Sequence, residues 1–344
     1  MRRPLKLIAT ACTSLGLALA LGLSAPALAQ STATLYGLLD MSVGQFQAAG
    51  APKVWKADSG HMSTSYLGFK GTEDLGGGLR ARFAIEHFLR LDQGAAGRFD
   101  GDAFWARSAY VGLQGAFGTT VIGRNTTPLF VSTLIFNALG DSFGFSPAIR
   151  QLFTPSLLPF FGDTAWNNSL AYASPTYNGW SVNLLGNAGE GAPGSNGRNI
   201  GANLLYFNGP LSGTVAFQQV KNGAFGTPPG WSSQDTFQLG ASYDLKAAKL
   251  FGQYTSVKTK ATANSRTTIY GFGASAPVTE LGRAIVQFNR AEASDTLSRT
   301  ETTLSLAYSY LLSKNTELYA VAMTDRITGL ATGTTLATGM RLRF

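Results

Sequence analysis

The chain has 344 residues, of which 44% are hydrophobic and only 13% are charged, and its formal net charge is +8. This charged share is about half of the roughly 25% typical of a soluble domain. The 22 Phe, 12 Tyr and 5 Trp argue against disorder, and a single Cys excludes a disulfide scaffold. With 41 Gly, the composition indicates a β-rich protein with many turns.

The N-terminus predicts an export signal. It combines a basic start (MRRPLK), an apolar stretch over about 15–23 and the small-x-small sequence ALA at 27–29. We therefore expect residues 1–29 to be a cleaved signal peptide and residues 30–344 to form one domain. A membrane anchor is the alternative, but the apolar stretch is short for a span of ~20 residues.

A period of two dominates the rest of the chain. In the last strand candidate, Leu336, Met340 and Leu342 share one face, and Arg341 and Arg343 share the other. The same alternation occurs near the N-terminus and over 304–310. One apolar face and one polar face indicate a half-buried β-strand.

Short turns alternate with longer loops along the chain. The turns include those near 73–77, 115–118, 175–179, 208–210, 244–246 and 313–315, and the loops fall near 47–60, 92–101, 125–166, 189–198, 222–233, 260–266, 293–298 and 327–332. They separate sixteen strand candidates. Short turns at one rim and long loops at the other predict an all-β, antiparallel transmembrane β-barrel.

A soluble β-sandwich is the alternative to the barrel, but it would rarely need so many strands and would carry more surface charge. A closed barrel satisfies its backbone hydrogen bonds in lipid, and sixteen strands leave an aqueous lumen. An exported membrane barrel indicates the outer membrane of a Gram-negative cell.

Five segments carry a resemblance to a known family. They are TLYGLLD at 34–40, LGFKGTEDLGGGL at 67–79, RSAYVGL at 107–113 with FGT at 117–119, IGR at 122–124, and YSYLLSKNTELY at 308–319 followed by a terminal Phe344. In this order and spacing, the chain resembles the general trimeric porins of Gram-negative bacteria. The resemblance implies a sixteen-stranded homotrimeric channel in the cell outer membrane for passive diffusion of small hydrophilic solutes and ions. It also implies that the third long loop, 125–166, folds inward and constricts the pore; a mobile surface loop is the alternative.

Charged side chains are the expected selectivity elements, because charges across a constriction choose which ions pass. Strand alternation places Arg80, Arg82 and Glu86 on the face expected to line the lumen. The resemblance implies that Arg107 is a wall arginine, and Arg124, at the start of the long loop, is a further candidate. A rim or interface charge is the alternative for each arginine.

The chain departs from the family pattern at the constriction. Tyr66 and Ala171 stand where relatives often carry arginine, and the long loop offers Asp141 and Asp163 as carboxylates. The loop also contains seven phenylalanines: Phe130, Phe136, Phe143, Phe145, Phe153, Phe160 and Phe161. We expect modest anion selectivity. Two alternatives stay open: a substrate-selective channel for aromatic or other organic anions, and a non-transport adhesin or structural barrel. The phenylalanines either line the pore or pack the loop onto the wall or into the trimer contact.

Other chemistry finds little support in the sequence. His61 and His87 are too few for a usual zinc site, and no serine motif accompanies His87 on its outward strand face. No dinucleotide motif or nucleic-acid patch is present. We therefore predict no enzyme activity, no cofactor and no nucleic-acid partner. The expected partners are solutes, outer-membrane lipid including lipopolysaccharide, and two further copies of the chain, because small residues such as Gly37 and Thr338 face outward.

Overall fold

The computed structural model describes residues 32–187, 198–224, 226–227, 229–294 and 298–344. The predicted signal peptide at 1–29 lies outside the described residues, as does most of the predicted loop at 189–198. Within the described part, no helix has the length and apolar character needed to cross a membrane.

Eighteen strands and two short helices make up the described chain. They are β1 Thr32–Phe46, β2 Val54–Ser59, β3 Tyr66–Gly76, β4 Leu79–Arg90, β5 Ala95–Ala96, β6 Ser108–Gly115, β7 Gly118–Thr126, α1 Pro128–Ile135, α2 Pro147–Phe153, β8 Ala165–Ala173, β9 Trp180–Asn187, β10 Ile200–Asn208, β11 Leu211–Val220, β12 Ser233–Asp244, β13 Lys249–Lys260, β14 Ser265–Pro277, β15 Gly282–Ser294, β16 Thr300–Leu311, β17 Thr316–Ile327 and β18 Gly333–Arg343.

The strands close into one antiparallel barrel. Consecutive barrel strands pair as neighbours, and β18 pairs with β1 from Leu38↔Arg343 to Gln45↔Leu336. Strands β2 and β3 pair with different halves of β1 and so occupy one position, while β5 pairs only with the end of β4. Sixteen strand positions surround the barrel, and the predicted fold class is confirmed.

The predicted loop at 47–60 is shorter in the structure. Its second half forms strand β2, in register from Phe46↔Val54 to Met41↔Ser59. Strand β2 forms because the C-terminal half of β1 would otherwise have no partner on the side opposite β18. Pairing satisfies the hydrogen-bonding groups of its backbone.

The two faces of the wall differ in polarity. The outer face exposes side chains such as Phe272 and Leu306, whereas buried Gln218, Gln238 and Gln287 occupy the inner face. The alternation predicted for β18 is confirmed, since Leu336 and Met340 are exposed. Gly37, which was expected to face outward, is buried, and the ring of Phe344 lies against it.

The segment between β7 and β8 packs against the inner face. Thr127 and Ser146 cap the N-termini of α1 and α2 by accepting hydrogen bonds from the backbone, and each helix has Pro in its first turn. Helix α1 contacts β10 and β11, and α2 contacts β14 to β16. These two helices replace the continuous loop expected from the sequence.

Polar side chains of the inner wall hold this segment in place. Gln253 Nε2 donates to the carbonyl of Thr133 at 2.8 Å, and Ser305 Oγ donates to the carbonyl of Phe145 at 2.7 Å. Gln287 Oε1 accepts from the backbone N–H of Ala138 at 2.9 Å. The segment therefore lies against β10 to β16, and its Phe145 also stacks on Phe46 at the end of β1. The inner faces of β3, β4 and β6, and the part of β1 around Tyr36, lie on the other side of the enclosed space.

Candidate functional site

A row of aligned residues crosses β1, β3 and β4 on the inner face. Tyr36 pairs in register with Gly68, and Gly68 pairs with Glu86. A Cβ atom on Gly68 would lie 2.9 Å from Glu86 Cγ and 3.1 Å from Tyr36 Cζ. The missing side chain therefore lets the Tyr36 hydroxyl reach across β3 and donate to Glu86 Oε1 at 2.5 Å.

Arg107 completes this cluster from the residue preceding β6. Its guanidinium forms an ion pair with the second carboxylate oxygen of Glu86 and lies over the ring of Tyr66, 3.9 Å from the ring centroid. The Glu86 side chain is 9% exposed, and that of Arg107 is 30% exposed. Tyr66 thus supplies a cation–π contact that orients Arg107.

Other cations lie on the same wall. Arg82 Nη2 donates to the Tyr110 hydroxyl at 3.4 Å, and Lys70 Nζ lies 4.3 Å from the centroid of the Tyr36 ring. Arg80 is exposed and forms no ion pair with any described residue. Sequence reasoning missed Lys70, although it shares its strand face with Tyr66 and Gly68.

Two cavities lie inside the barrel, and Asp141 and Gly140 line both of them. The first, about 380 Å³, is also lined by Arg107, Phe130 and Phe143. The second, also about 380 Å³, lies toward the short turns. The shared residues mark the boundary between the two spaces. Asp141 Oδ1 accepts a hydrogen bond from Ser63 Oγ at 2.9 Å.

The second cavity contains three arginines that sequence reasoning did not select: Arg283, Arg341 and Arg343. Arg341 forms a bidentate pair with Glu317 at 2.8 and 3.0 Å and donates to Ser63 Oγ at 2.7 Å. The alternation of the last strand had already placed Arg341 and Arg343 on the polar face, which is the signal that could have identified them.

Arg124 and Asp163 belong to a different cluster. Arg124 Nη2 lies 3.2 Å from Asp163 Oδ2, and Arg98 Nη1 lies 2.9 Å from Asp163 Oδ1. Arg124 also donates to the carbonyl of Ala106 and to Asn167. The Asp163 carboxylate is buried between two guanidiniums and is fully paired. Arg124 and Asp163, which were predicted to line the pore, therefore join the ends of the inner segment to the loop after β4. We correct their expected role to anchoring.

Asp102 extends the anchoring cluster. It accepts hydrogen bonds from Arg98 Nε at 2.9 Å and from the Arg98 backbone N–H at 3.0 Å. Burial by itself raises the pKa of this carboxyl, but the hydrogen bonds from Arg98 and its positive charge outweigh burial and hold the pKa below its usual value.

The phenylalanines of the inner segment divide into two groups. Phe136, Phe145 and Phe161 are buried, and Phe145 stacks on Phe46 at 6.5 Å. The remaining four, Phe130, Phe143, Phe153 and Phe160, are partly exposed. Packing onto the wall, one of the two expected roles, therefore accounts for the buried group.

The two histidines lie in aromatic contacts. The ring of His61 lies 4.7 Å from that of Phe46, and the ring of His87 lies 4.0 Å from that of Phe104, which covers it on the outer side. Over the described ranges, no group of three or more His, Cys, Asp or Glu side chains could hold a metal ion.

Comparisons with known proteins agree with this architecture. A family model described as Gram-negative porin matches residues 11–330. Outer membrane porin protein 32 of Delftia acidovorans is 34% identical over 323 residues, which cover 87% of this chain and 85% of that protein. The solved structure of the anion-selective porin from Comamonas acidovorans has a TM-score of 0.78 and 28% identity, and the match covers 92% of this chain and 100% of that one.

A more distant solved structure shares the fold alone. In-vitro folded OmpT of Vibrio cholerae, in its trimer form, has a TM-score of 0.67 and 14% identity, with 91% of this chain and 99% of that chain covered. The predicted resemblance and the predicted outer-membrane location are confirmed. With its closed sixteen-strand wall and a family match over most of its length, the chain belongs to the Gram-negative porin family.

Proposed function

We propose that this porin is a modestly anion-selective diffusion channel for small hydrophilic solutes and ions, and that it acts without enzyme chemistry. The observation that carries the proposal is the placement of Arg107, which lines a cavity inside the barrel while Glu86 and Tyr66 hold it. A fixed cation at the boundary of a water-filled space attracts anions and repels cations.

The surrounding charges determine how strong this preference is. Arg80, Arg82 and Lys70 lie on the same wall, and Asp141 is the carboxylate that shares the cavity with Arg107. Glu86 offsets part of the charge of Arg107 by direct pairing. A surplus of cations that is partly compensated supports a modest anion preference. The anion-selective porin from Comamonas acidovorans, a relative by fold and sequence, supports the same sign.

The inner segment 125–166 is the constricting element in this proposal. Its support is the contact of α1 and α2 with the inner wall and the shared lining of both cavities by Gly140 and Asp141. Arg98, Arg124 and Asp163 anchor its ends. Contacts at both ends and along its length hold the segment inside the lumen.

The assembly in this proposal is a homotrimer in outer-membrane lipid, with lipopolysaccharide phosphates meeting basic residues at the long-loop rim. The broad apolar outer face and the trimer form of a structure with the same fold support it. Electrophoresis without heating, combined with cross-linking, should show a species near three subunits. Monomer alone after gentle extraction would contradict the trimer.

Planar-bilayer recording tests the channel itself. With purified protein and a tenfold KCl gradient, the reversal potential should give a chloride permeability moderately above that of potassium. A cation-selective pore would overturn the anion assignment, and a barrel without conductance would favour the adhesin or structural alternative.

A further inference from the structure

Four phenylalanines of the inner segment form one continuous row of ring contacts. The ring centroids lie 5.8 Å apart from Phe143 to Phe130, 5.1 Å from Phe130 to Phe153 and 5.1 Å from Phe153 to Phe160. All four rings are partly exposed, unlike the other three phenylalanines of the segment. The row therefore presents aromatic surface inside the barrel.

The two halves of the row have different surroundings. Phe153 and Phe160 pack against the buried cluster that includes Leu152 and Leu157, so loop packing explains them. Phe130 and Phe143 line the first cavity instead. Exposed apolar surface facing water is unfavourable and often marks a binding site.

Arg107 lines the same cavity as these two rings. A guanidinium carries five N–H donors in a planar fork. Within the part of the chain that the structure describes, the only side-chain hydrogen bond of Arg107 goes to Glu86, and its side chain is 30% exposed. Donors thus remain for a carboxylate that enters the cavity. The volume of about 380 Å³ lies within the range of about 300–1,000 Å³ of small-molecule pockets.

We propose that this cavity is a binding station for aromatic monocarboxylates of about the size of benzoate. The ring of the solute stacks against Phe130 and Phe143, and its carboxylate accepts hydrogen bonds from Arg107. Asp141 at the rim of the cavity repels a second negative charge, so aromatic dicarboxylates bind less well. This inference rests on the proposed anion-selective channel and assigns a substrate class to its constriction.

The expected preference is small enough to allow passage. The contact of one solute ring with the phenylalanine rings corresponds to about a two- to tenfold difference in affinity. A channel needs binding that is strong enough to enter and weak enough to leave. The station therefore concentrates aromatic acids at the constriction without trapping them.

Block of the chloride current in planar bilayers tests the station. Benzoate should halve the current of the wild-type porin at a concentration two- to tenfold lower than gluconate or phthalate does. The double variant Phe130→Leu with Phe143→Leu keeps apolar side chains but removes both rings, and it should lose the difference between benzoate and gluconate. Phe143→Tyr keeps a ring and should retain the difference.

Phe160→Leu is the matched control, because it lies in the same row but outside the cavity, and it should behave as wild type. Heat-modifiable migration on gels verifies that each variant has assembled. Equal block by benzoate and gluconate in the wild type would overturn the inference, as would a benzoate preference that survives in the assembled double variant. A cation-selective wild type would instead overturn the proposed function itself, so the two failures are distinguishable.

Discussion

Replacing Arg107 by Ala should reduce the preference for chloride over potassium. Arg107 pairs with Glu86, whose side chain is only 9% exposed. The substitution removes one positive charge at the cavity and leaves the carboxylate with the Tyr36 hydroxyl as its remaining side-chain partner. The local charge becomes negative, so the field at the constriction changes in favour of cations.

The size of the effect follows from Coulomb's law. At ~7 Å in water, one unit charge changes the energy of a monovalent ion by about 0.6 kcal/mol. The change has opposite signs for chloride and potassium, so their difference is about 1.2 kcal/mol, or about sevenfold in permeability ratio. Screening at physiological salt reduces this to about twofold. We expect a two- to sevenfold fall that is larger at low salt.

Reversal potentials in a KCl gradient at two ionic strengths measure this fall. Arg290→Ala is the matched control, because Arg290 also pairs with a glutamate, Glu292, but both are 47% exposed on the outer side of β15. Arg107→Ala combined with Glu86→Gln removes both charges and should recover part of the lost selectivity. An unchanged ratio in Arg107→Ala would refute the reasoning, as would a double variant no different from the single one.

Three further predictions concern the row of residues across β1, β3 and β4 and the anchoring cluster around Asp163. Gly68→Val should break the hydrogen bond between Tyr36 and Glu86, because the valine side chain would lie between these two residues. The expected result is a lowered anion selectivity of the assembled trimers, and a selectivity equal to that of the wild type would contradict the prediction. Asp163→Asn leaves the anchoring arginines without their shared carboxylate and should increase channel closures in single-channel records, whereas Asp100→Asn, whose carboxylate is 94% exposed, should not. The pKa of Asp102 is lowered in the folded protein. The stability that its ionised carboxylate contributes is therefore fully present above about pH 3.9, the ordinary pKa of aspartate, and is lost as the pH falls through the lower pKa of the folded protein. Closures should therefore become more frequent only at a pH below the ordinary aspartate pKa of about 3.9, and closures that already increase well above that pH would argue against this role.

Local patterns in the sequence were sufficient for the barrel. A period of two needs only the pleat of the backbone, which sends successive side chains to opposite faces. Alternation along each strand was therefore enough to assign the faces of Arg82 and Glu86 on β4 and of Leu336 and Arg341 on β18. The count of sixteen strands followed from the turns and loops between them. Strand β2 was missed because its pairing with β1 depends on the whole hairpin.

Only the tertiary structure decided which inward residues meet. Gly68 is unremarkable in the sequence, yet its missing side chain joins Tyr36 to Glu86 across β3. Arg124 and Arg107 are similar as sequence candidates, but Arg124 forms an ion pair with Asp163, whereas Arg107 lines the cavity. Likewise, composition showed seven phenylalanines without separating the buried ones from Phe130 and Phe143. These distinctions depend on contacts between residues far apart in the chain, and the physical reason is that closure of the barrel, rather than any local preference, sets which strands and loop residues face one another.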